Sequence, residues 1–263
     1  YYDYIVLDES HHTTASSYRK ILSHFEPKIM LGLTATPERL DGEDILEFFN
    51  HRIAYEIRLR EAIERNLLCP FHYFGVSETV DLSNVKWQNG RYDTLELSDK
   101  YIGNLARDIG IVSAIDRYVT SRNSIKGLGF CVSKEHARYM ANSFNEKGIS
   151  SISLDSDSSD EVRRGAKDRL ISGDIKFIFV VDLYNEGVDI PQINTVLFLR
   201  PTESATVFIQ QLGRGLRLHE SKDVLTVLDF IGQGRKEYNY QVKFQSMIAK
   251  LHHSIDKEIN QDF

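Results

Sequence analysis

The sequence predicts an α/β fold with a mostly parallel sheet. Short, continuous apolar runs alternate along the chain with stretches whose apolar residues repeat at helical spacing. Continuous runs are typical of strands buried on both faces, and strand–helix alternation indicates right-handed crossover connections. The predicted strands are Tyr4–Leu7, Ile29–Leu33, Gly127–Val132, Ser151–Leu154, Phe177–Val181, Thr195–Leu199 and Val224–Phe230.

Apolar periodicity and capping residues predict four helices. Ser133 and Ser159 are suitable N-caps for two of them, which should end near Gly148 and Gly173. An amphipathic helix is also predicted over Tyr238–Ile259. The helix after Ser133 should bury Ala137, Met140, Ala141 and Phe144, and the helix after Ser159 should bury Val162, Ala166 and Leu170. A helix that precedes both should bury Leu105, Ile109, Val112, Ile115 and Val119.

A polar stretch at residues 74–101 interrupts the alternation and marks a change of domain. It contains Asn89-Gly90, a hairpin signal, shortly after the only tryptophan, Trp87. The 263-residue length suits about two domains, so we expect a junction around residues 66–75. Because the sequence begins with Tyr1 and opens directly into a strand, we expect it to be a fragment of a longer chain.

Composition excludes several classes of protein. Hydrophobic residues make up 41% and charged residues 27%, as in soluble globular proteins, and no apolar run approaches the about 18 residues of a membrane span. Cys69 and Cys131 form no C-x-x-C pair, which favours a reducing, cytoplasmic setting. The net charge is −6, so nucleic-acid binding would require a local groove rather than a broadly basic surface.

Four short polar blocks carry candidate chemistry, and the first is Asp8-Glu9-Ser10-His11. It follows a predicted strand directly, at the strand end where open α/β sheets bind ligands. The first carboxylate could hold Mg²⁺, and the second could orient or deprotonate an attacking water. Taken alone, the block is explained more simply as a solvated acidic loop that caps the following helix.

Two further blocks also follow predicted strands. Thr34 and Thr36 carry hydroxyls that could bridge the acidic loop to a partner, although a strand-to-loop transition ending at Pro37 explains them equally well. After the most apolar strand, Asp189 could contact a ribose or a metal-bound water, and Gly187 would let a backbone pass closely. A tight turn before the next strand is the alternative interpretation.

The sharpest block combines glutamine, glycine and arginine. Gln210, Arg214 and Arg217 lie at i, i+4 and i+7, so they share one face if the helix continues. Two arginines on one face match the fork geometry that binds phosphate oxygens, and a solvated basic face is the alternative. Gly213 and Gly215 each cost about 1 kcal/mol in a helix interior, which suggests close approach of another segment to the backbone.

Together these blocks resemble, in order and spacing, the motifs of superfamily 2 helicases of the DEAD/DEAH type. Asp8–His11 resembles motif II, Thr34–Thr36 motif III, Gly129–Ser133 motif IV, Gly187–Asp189 motif V and Gln210–Arg217 motif VI. The wording of the later blocks is similar to bacterial helicases related to the Res subunit of type III restriction enzymes. The family's phosphate-cradling loop, G-x-x-x-x-G-K-[ST], does not occur in the sequence.

The resemblance implies RecA-like parallel sheets, the P-loop NTPase helicase fold, with ATP and Mg²⁺ as cofactors. Residues 1–72 would be the C-terminal half of a first RecA-like domain, and residues 73–263 a nearly complete second one. The full-length protein would be an ATP-dependent helicase or translocase on nucleic acid, with DNA favoured over RNA. The alternatives are a non-catalytic module that binds nucleic acid or protein, and the motor subunit of a restriction system with a nuclease elsewhere.

The resemblance also implies a role for each matching residue. The fragment alone, without the phosphate loop, is expected to be inactive. In the longer protein, the first carboxylate would hold Mg²⁺ and the second would activate water. The implied catalytic residues are Asp8, Glu9, His11, Gln210, Arg214 and Arg217, and the implied metal ligands are Asp8 and Glu9. The nucleotide would be bound by Gly187, Asp189, Arg214 and Arg217. The nucleic acid would be contacted by Thr34, Thr36, Ser133 and Thr202.

Overall fold

The computed structural model describes residues 2–10, 16–34, 45–88, 91–181, 190–201 and 205–233. These residues divide into two compact units, with the division between Glu61 and Ala62. The assignment of residues 1–72 and 73–263 to two domains stays a prediction, and the helix predicted over Tyr238–Ile259 lies outside the described residues. Within the described part of the chain, no helix is both long and apolar enough to cross a bilayer.

The first unit is built on a two-stranded parallel sheet of β1 (Tyr4–Leu7) and β2 (Ile29–Gly32). The connection between the strands contains helix α1 (Ser16–His24), so it is the strand–helix–strand crossover that the sequence predicts. A 3₁₀ helix at Ile45–Phe49 follows, and helix α2 (Leu59–Glu64) crosses the division between the units.

The second unit contains a six-stranded, all-parallel sheet, which confirms the predicted α/β class. Its strands are β3 (Phe71–Asp81), β6 (Gly127–Phe130), β7 (Ser151–Leu154), β8 (Phe177–Val180), β9 (Thr195–Phe198) and β10 (Leu225–Gln233). Across the sheet they follow the order β3-β10-β9-β6-β8-β7. The helices of this unit are α3 (Thr94–Tyr101), α4 (Leu105–Tyr118), α5 (Lys134–Glu146), α6 (Asp160–Ser172) and α7 (Ala205–Gly215).

The predicted caps and hairpin are confirmed. The hydroxyl of Ser133 accepts a hydrogen bond from the His136 amide at the start of α5, and the hydroxyl of Ser159 accepts one from the Val162 amide at the start of α6. Gly173 ends α6 in the left-handed conformation, with φ of 88°. Two short strands, β4 (Trp87–Gln88) and β5 (Arg91–Tyr92), pair antiparallel on either side of Asn89-Gly90 in the sequence. Trp87 packs on an apolar cluster of the same unit, so it anchors the hairpin.

The apolar face predicted for α4 is correct in part. Ile115 is buried and Val112 and Val119 pack against the core, but Leu105 and Ile109 are 67% and 60% exposed. The helix instead buries Ile111 and Ala114 together with Arg107 and Asp108. The physical reason is that the two charged side chains have buried partners, so the helix turns them inward. Val162 of α6 is also exposed, although Ala166 and Leu170 of the same predicted face are buried.

Strand β3 and helix α3 lie in the polar stretch and were not predicted. Strand β3 lies at an edge of the sheet and pairs only with β10. Along it, exposed residues alternate with partly or fully buried ones. An edge strand therefore lacks the continuous apolar run that identifies the central strands.

Candidate functional site

The acidic loop leaves β1 through a tight, strained turn. Asp8 is exposed, and one of its carboxylate oxygens accepts the Glu9 amide at 2.9 Å. Glu9 has a φ of 49°, a left-handed conformation that a non-glycine residue adopts only when its surroundings hold it there. The next residue, Ser10, is buried and donates its amide to the Leu33 carbonyl at 2.8 Å. The end of β2 therefore holds the loop in place.

The same contacts bring the loop after β2 to the acidic loop. The Leu33 amide donates to the Leu7 carbonyl at 2.8 Å, so the chain pairs one residue beyond the strand ends. Thr34 follows immediately and is partly buried. Ser10 and Thr34 both line a cavity of about 670 Å³ along β2. The first unit thus brings together the loops of two predicted motifs, while His11 and Thr36 lie outside the described residues.

Two adjacent carboxylates at a strand end are suited to Mg²⁺. This ion usually takes one or two protein carboxylates and completes its octahedral shell with water and substrate phosphates. Asp8 is exposed and Glu9 partly exposed, so both are accessible. In the ranges that the structure describes, no group of three or more His, Cys, Asp or Glu side chains could hold a metal by itself. Two carboxylates match the one or two that Mg²⁺ usually takes from a protein.

Helix α7 carries two of the three residues predicted to share a face. Gln210 and Arg214 lie one turn apart, and both are partly buried. The helix ends at Gly215, so Arg217 lies beyond it and is exposed, and the prediction of a common helical face is wrong for this residue. The positions predicted for motif V, Gly187 and Asp189, lie outside the described residues.

The close approach predicted at two glycines occurs at one of them. A Cβ on Gly215 would lie 2.7 Å from Leu225 and 3.2 Å from Val196, so this end of α7 packs tightly against β9 and β10. Outside its own helix, a Cβ on Gly213 would meet no atom of the described residues within 4 Å, so no close approach is observed there. Sequence alone does not distinguish the two, because both interrupt the same helical pattern.

Lys222 fixes the same helix end, and no sequence signal pointed to it. Its ammonium donates to the carbonyls of Pro191, Ile193 and Gly215 at 2.9, 2.9 and 2.7 Å. The three donors of the buried ammonium thus have three acceptors, one of them at the C-terminus of α7, where a cation is favourable. Burial lowers the pKa of Lys222, with the nearby Cys69 acting in the opposite direction.

Ser133, the predicted nucleic-acid contact after β6, is buried at the start of α5. Its hydroxyl accepts the His136 amide at 3.1 Å and lies 2.8 Å from the hydroxyl of Ser98. The first amides of a helix have no acceptor within the helix, so the groups that remain for a phosphate oxygen are the backbone amides of Lys134 and Glu135. Thr202 lies outside the described residues.

Beneath Ser133 is a buried polar cluster that the sequence did not reveal. The Arg107 guanidinium lies 2.8 Å from the Glu78 carboxylate, and the two side chains are 1% and 6% exposed. Burial raises the pKa of Glu78, and the charge of Arg107 opposes that shift. Burial also lowers the pKa of His136 well below its usual value, and the neighbouring Arg107 adds to the effect. The histidine is therefore neutral.

Comparison with known proteins shows which families and proteins this chain resembles. The family described as "Helicase conserved C-terminal domain" matches residues 110–219, and that described as "Type III restriction enzyme, res subunit" matches residues 1–39. The chain is 33% identical over 235 residues to a Saccharomyces cerevisiae protein named as an ATP-dependent helicase, IRC3, covering 87% of this chain and 34% of the relative. It is 28% identical over 261 residues to the EcoAI type I restriction enzyme endonuclease subunit of Escherichia coli, covering 88% and 32%.

A solved structure agrees with these sequence matches. A fragment of an HsdR subunit of a type I restriction enzyme from Vibrio vulnificus YJ016 superimposes with a TM-score of 0.67 at 26% identity, covering 87% of this chain and 43% of that one. The chain thus spans about a third of the length of both curated relatives. The resemblance to superfamily 2 helicases related to the Res subunit, and the RecA-like α/β fold that it implies, are confirmed.

Proposed function

We propose that the chain is part of an ATP-dependent motor that unwinds or moves along nucleic acid, with DNA as the favoured track. The observation that carries the proposal is the anchoring of the acidic loop to the end of β2, which brings Asp8, Glu9 and Thr34 to one edge of a parallel sheet. The relatives named as a helicase and as a restriction enzyme subunit support the same class of activity. The restriction enzyme relatives favour DNA.

The carboxylates supply the hydrolytic chemistry in this proposal. Asp8 would hold Mg²⁺, and the ion would supply charge neutralisation for the phosphates of ATP. Glu9 orients the attacking water and accepts its proton. The strained backbone at Glu9 supports the assignment, because such strain persists only where the surrounding structure maintains it, and it is concentrated at functional sites.

The second unit supplies cationic and polar groups in this proposal. Arg214 and Arg217 stabilise the negative charge that develops on the transferred phosphoryl group, and Gln210 contacts the γ-phosphate or its attacking water. The packing of Gly215 and the three hydrogen bonds of Lys222 give the arginine-bearing segment a fixed end. A fixed cation stabilises a transition state without reorganising during the reaction.

The nucleic acid is held mainly through its backbone in this proposal. The amides at the start of α5 provide one phosphate seat, and Thr202 provides a second hydroxyl contact. With a net charge of −6, the chain neutralises few phosphates. We expect a shallow salt dependence, with a slope of roughly −2 to −4 in log K against log[salt] for single strands.

The test is ATP hydrolysis by the longer protein, measured with and without single-stranded DNA or RNA. Glu9→Gln should abolish turnover while sparing nucleotide binding, and Arg214→Ala should lower kcat by about 10³-fold or more. The matched controls are Glu26→Gln and Arg164→Ala, which alter exposed side chains of the same two units. Hydrolysis that survives Glu9→Gln, or that neither nucleic acid stimulates, would contradict the motor.

Two further arms separate the alternatives. Nucleic-acid binding by the longer protein without any hydrolysis would favour the non-catalytic module. Cleavage of DNA, in addition to hydrolysis, would favour the motor of a restriction system. The 263-residue chain alone should neither hydrolyse ATP nor bind it tightly, because its sequence contains no phosphate-cradling loop.

A further inference from the structure

One buried arginine contacts the ends of two neighbouring strands. Arg107 of α4 donates from Nη2 to the Leu199 carbonyl at 2.9 Å, directly after β9. Its Nη1 lies 3.3 Å from Nε2 of His136. The Nδ1 atom of that ring accepts the Val132 amide at 3.2 Å, two residues after β6. Arg107 is therefore in contact, directly or through one ring, with the backbone after both strands.

These two positions precede the two nucleic-acid contacts proposed for the second unit. Val132 is followed by Ser133 and the N-terminus of α5, and the chain reaches Thr202 three residues after Leu199. Strand pairing still joins the two segments at the Leu199 amide, which donates to the Phe130 carbonyl at 3.0 Å. Arg107 donates to the Leu199 carbonyl at the point where the segments after β6 and β9 leave the sheet.

The surroundings of Arg107 hold it in one orientation. The Glu78 carboxylate lies 2.8 Å from Nε, and the guanidinium carbon lies 3.8 Å from the centre of the Tyr101 ring. A buried charge pair is weak evidence for stability, since apolar side chains of similar size often stabilise a core equally well. The guanidinium instead donates in a fixed direction to Leu199 and packs against the His136 ring. Because Nδ1 of the neutral ring accepts the Val132 amide, Nε2 carries the proton, so the approach of Nη1 to Nε2 is a packing contact and not a hydrogen bond.

We propose that Arg107 is a positioning residue for nucleic-acid binding, which fixes the N-terminus of α5 relative to the end of β9. Glu78 holds the guanidinium in place, and His136 transmits its position to the Val132–Ser133 backbone. The amides of Lys134 and Glu135 form a phosphate seat only while the N-terminus of α5 is held in place. This inference rests on the proposed function, because it concerns the same nucleic-acid contacts.

The central variant is Arg107→Lys in the longer protein. Lysine keeps the charge opposite Glu78, but its single ammonium cannot reproduce a fork that reaches Glu78, Leu199 and His136 together. The matched control is Asp108→Asn. Asp108 is the next residue of α4, is fully buried, and accepts hydrogen bonds from Tyr139 and Ser143 rather than from the Arg107 cluster.

The measurements are fluorescence anisotropy with labelled single-stranded DNA and RNA in the absence of nucleotide, the thermal midpoint, and stimulated ATP hydrolysis. Arg107→Lys should weaken binding about tenfold, as expected for a lost charge-assisted hydrogen bond. It should raise the nucleic-acid concentration for half-maximal stimulation and leave kcat at saturation unchanged. Asp108→Asn should lower the thermal midpoint and leave affinity within about twofold.

The outcomes distinguish the two proposals. Wild-type affinity in Arg107→Lys, or an equal loss of affinity in Asp108→Asn, would overturn the positioning role while the motor stands. Absence of nucleic-acid binding by the wild-type protein would overturn the proposed function itself. If Arg107→Lys does not fold, the double variant Glu78→Leu/Arg107→Met removes both charges together, and a folded double variant with wild-type affinity would equally overturn the inference.

Discussion

The two parallel sheets have similar strand sequences but very different burial. In the first unit, Tyr4 and Val6 of β1 are 68% and 60% exposed, and Ile29 and Leu31 of β2 are also exposed. In the second unit, every residue of β6, β8 and β9 is buried. Continuous apolar runs therefore identify the strands in both units, but they do not tell which strands are covered on both faces.

The difference divides the proposed chemistry between a less buried and a more buried framework. The carboxylates of Asp8 and Glu9 follow a strand with an exposed apolar face, whereas Ser133 and the helix that carries Arg214 follow β6 and β9, the two central strands of the six-stranded sheet. Exposed apolar surface contributes little to stability, because the favourable transfer from water has not occurred. The first unit should accordingly open more readily than the second.

Amide hydrogen exchange tests this difference most strongly. The amides of Ile5 and Leu7 in β1 should exchange at least about 10³-fold faster than that of Phe179 in β8, a difference of about 4 kcal/mol in opening free energy. The internal control is Leu197 in β9, whose protection should match that of Phe179. Equal protection of β1 and β8 would mean that both units open together as one cooperative structure.

A glycine in each sheet gives the second comparison. A Cβ on Gly129 of β6 would lie 2.4 Å from the buried Phe179 ring, and a Cβ on Gly32 of β2 would lie 2.5 Å from the partly buried Phe49 ring. Gly129→Ala should cost about 3 kcal/mol, because the packed ring cannot move, whereas Gly32→Ala should cost less than about 1 kcal/mol.

Each glycine variant needs a readout from its own unit. Trp87 is the only tryptophan of the chain and packs in the second unit, so its fluorescence during guanidinium unfolding reports Gly129→Ala. Exchange of the β1 amides reports Gly32→Ala. Similar losses from the two variants would show that the Phe49 ring is as tightly packed as that of Phe179.

Sequence reasoning predicted the central strands and the main caps because each depends on neighbouring residues. A strand such as β8 is a continuous apolar run, and Ser133 precedes the helix that it caps. Leu105 and Ile109 were wrongly assigned to the buried face of α4 because Arg107 is buried by partners far away in the sequence, among them Glu78 and Leu199. Pairing between distant residues has no local periodicity.

The candidate site shows the same limit. The Asp8–His11 and Thr34–Thr36 blocks were singled out because each follows a strand, and parallel strands place their carboxyl ends at one edge. Their assignment to motifs II and III came from the resemblance to the helicase family. The role of Lys222 was not predictable, because its three carbonyl acceptors come from residues 191, 193 and 215, and a backbone carbonyl has no sequence signature. The end of α7 before Arg217 was missed because tight packing of Gly215 depends on Leu225.

The third prediction concerns pH and the buried histidine of the second unit. Because the folded-state pKa of His136 is lowered well below 6.5, the unfolded chain takes up a proton first as the pH falls. The stability of the second unit should therefore fall by up to about 1.4 kcal/mol per pH unit below about pH 6.5 on account of this group. In His136→Asn, whose side-chain oxygen can still accept the Val132 amide, this contribution should disappear.

The comparison between variants isolates the histidine. The raised pKa of Glu78 acts in the opposite direction, since its folded form takes up a proton before the unfolded form does. Guanidinium midpoints followed by Trp87 fluorescence should be compared at each pH for the wild type and His136→Asn. His72→Gln alters an exposed ring of the same unit and should keep the wild-type profile. Identical profiles for all three proteins would contradict the assignment.

The smallest expected effect comes from the ion pair of the first unit. Lys28 and Asp3 are separated by 2.6 Å, close to the 2.8 Å between Arg107 and Glu78, but their side chains are 79% and 59% exposed. Water already solvates both charges, so Lys28→Gln should change stability by about 0.5 kcal/mol or less, whereas removal of one partner from a buried pair costs about 3–5 kcal/mol. Exchange of the β1 amides in Lys28→Gln at low and high salt measures the effect. A loss of stability above about 1 kcal/mol in Lys28→Gln that high salt abolishes would show that this pair holds the strand ends together. The two units would then differ less in their electrostatics than in their apolar burial.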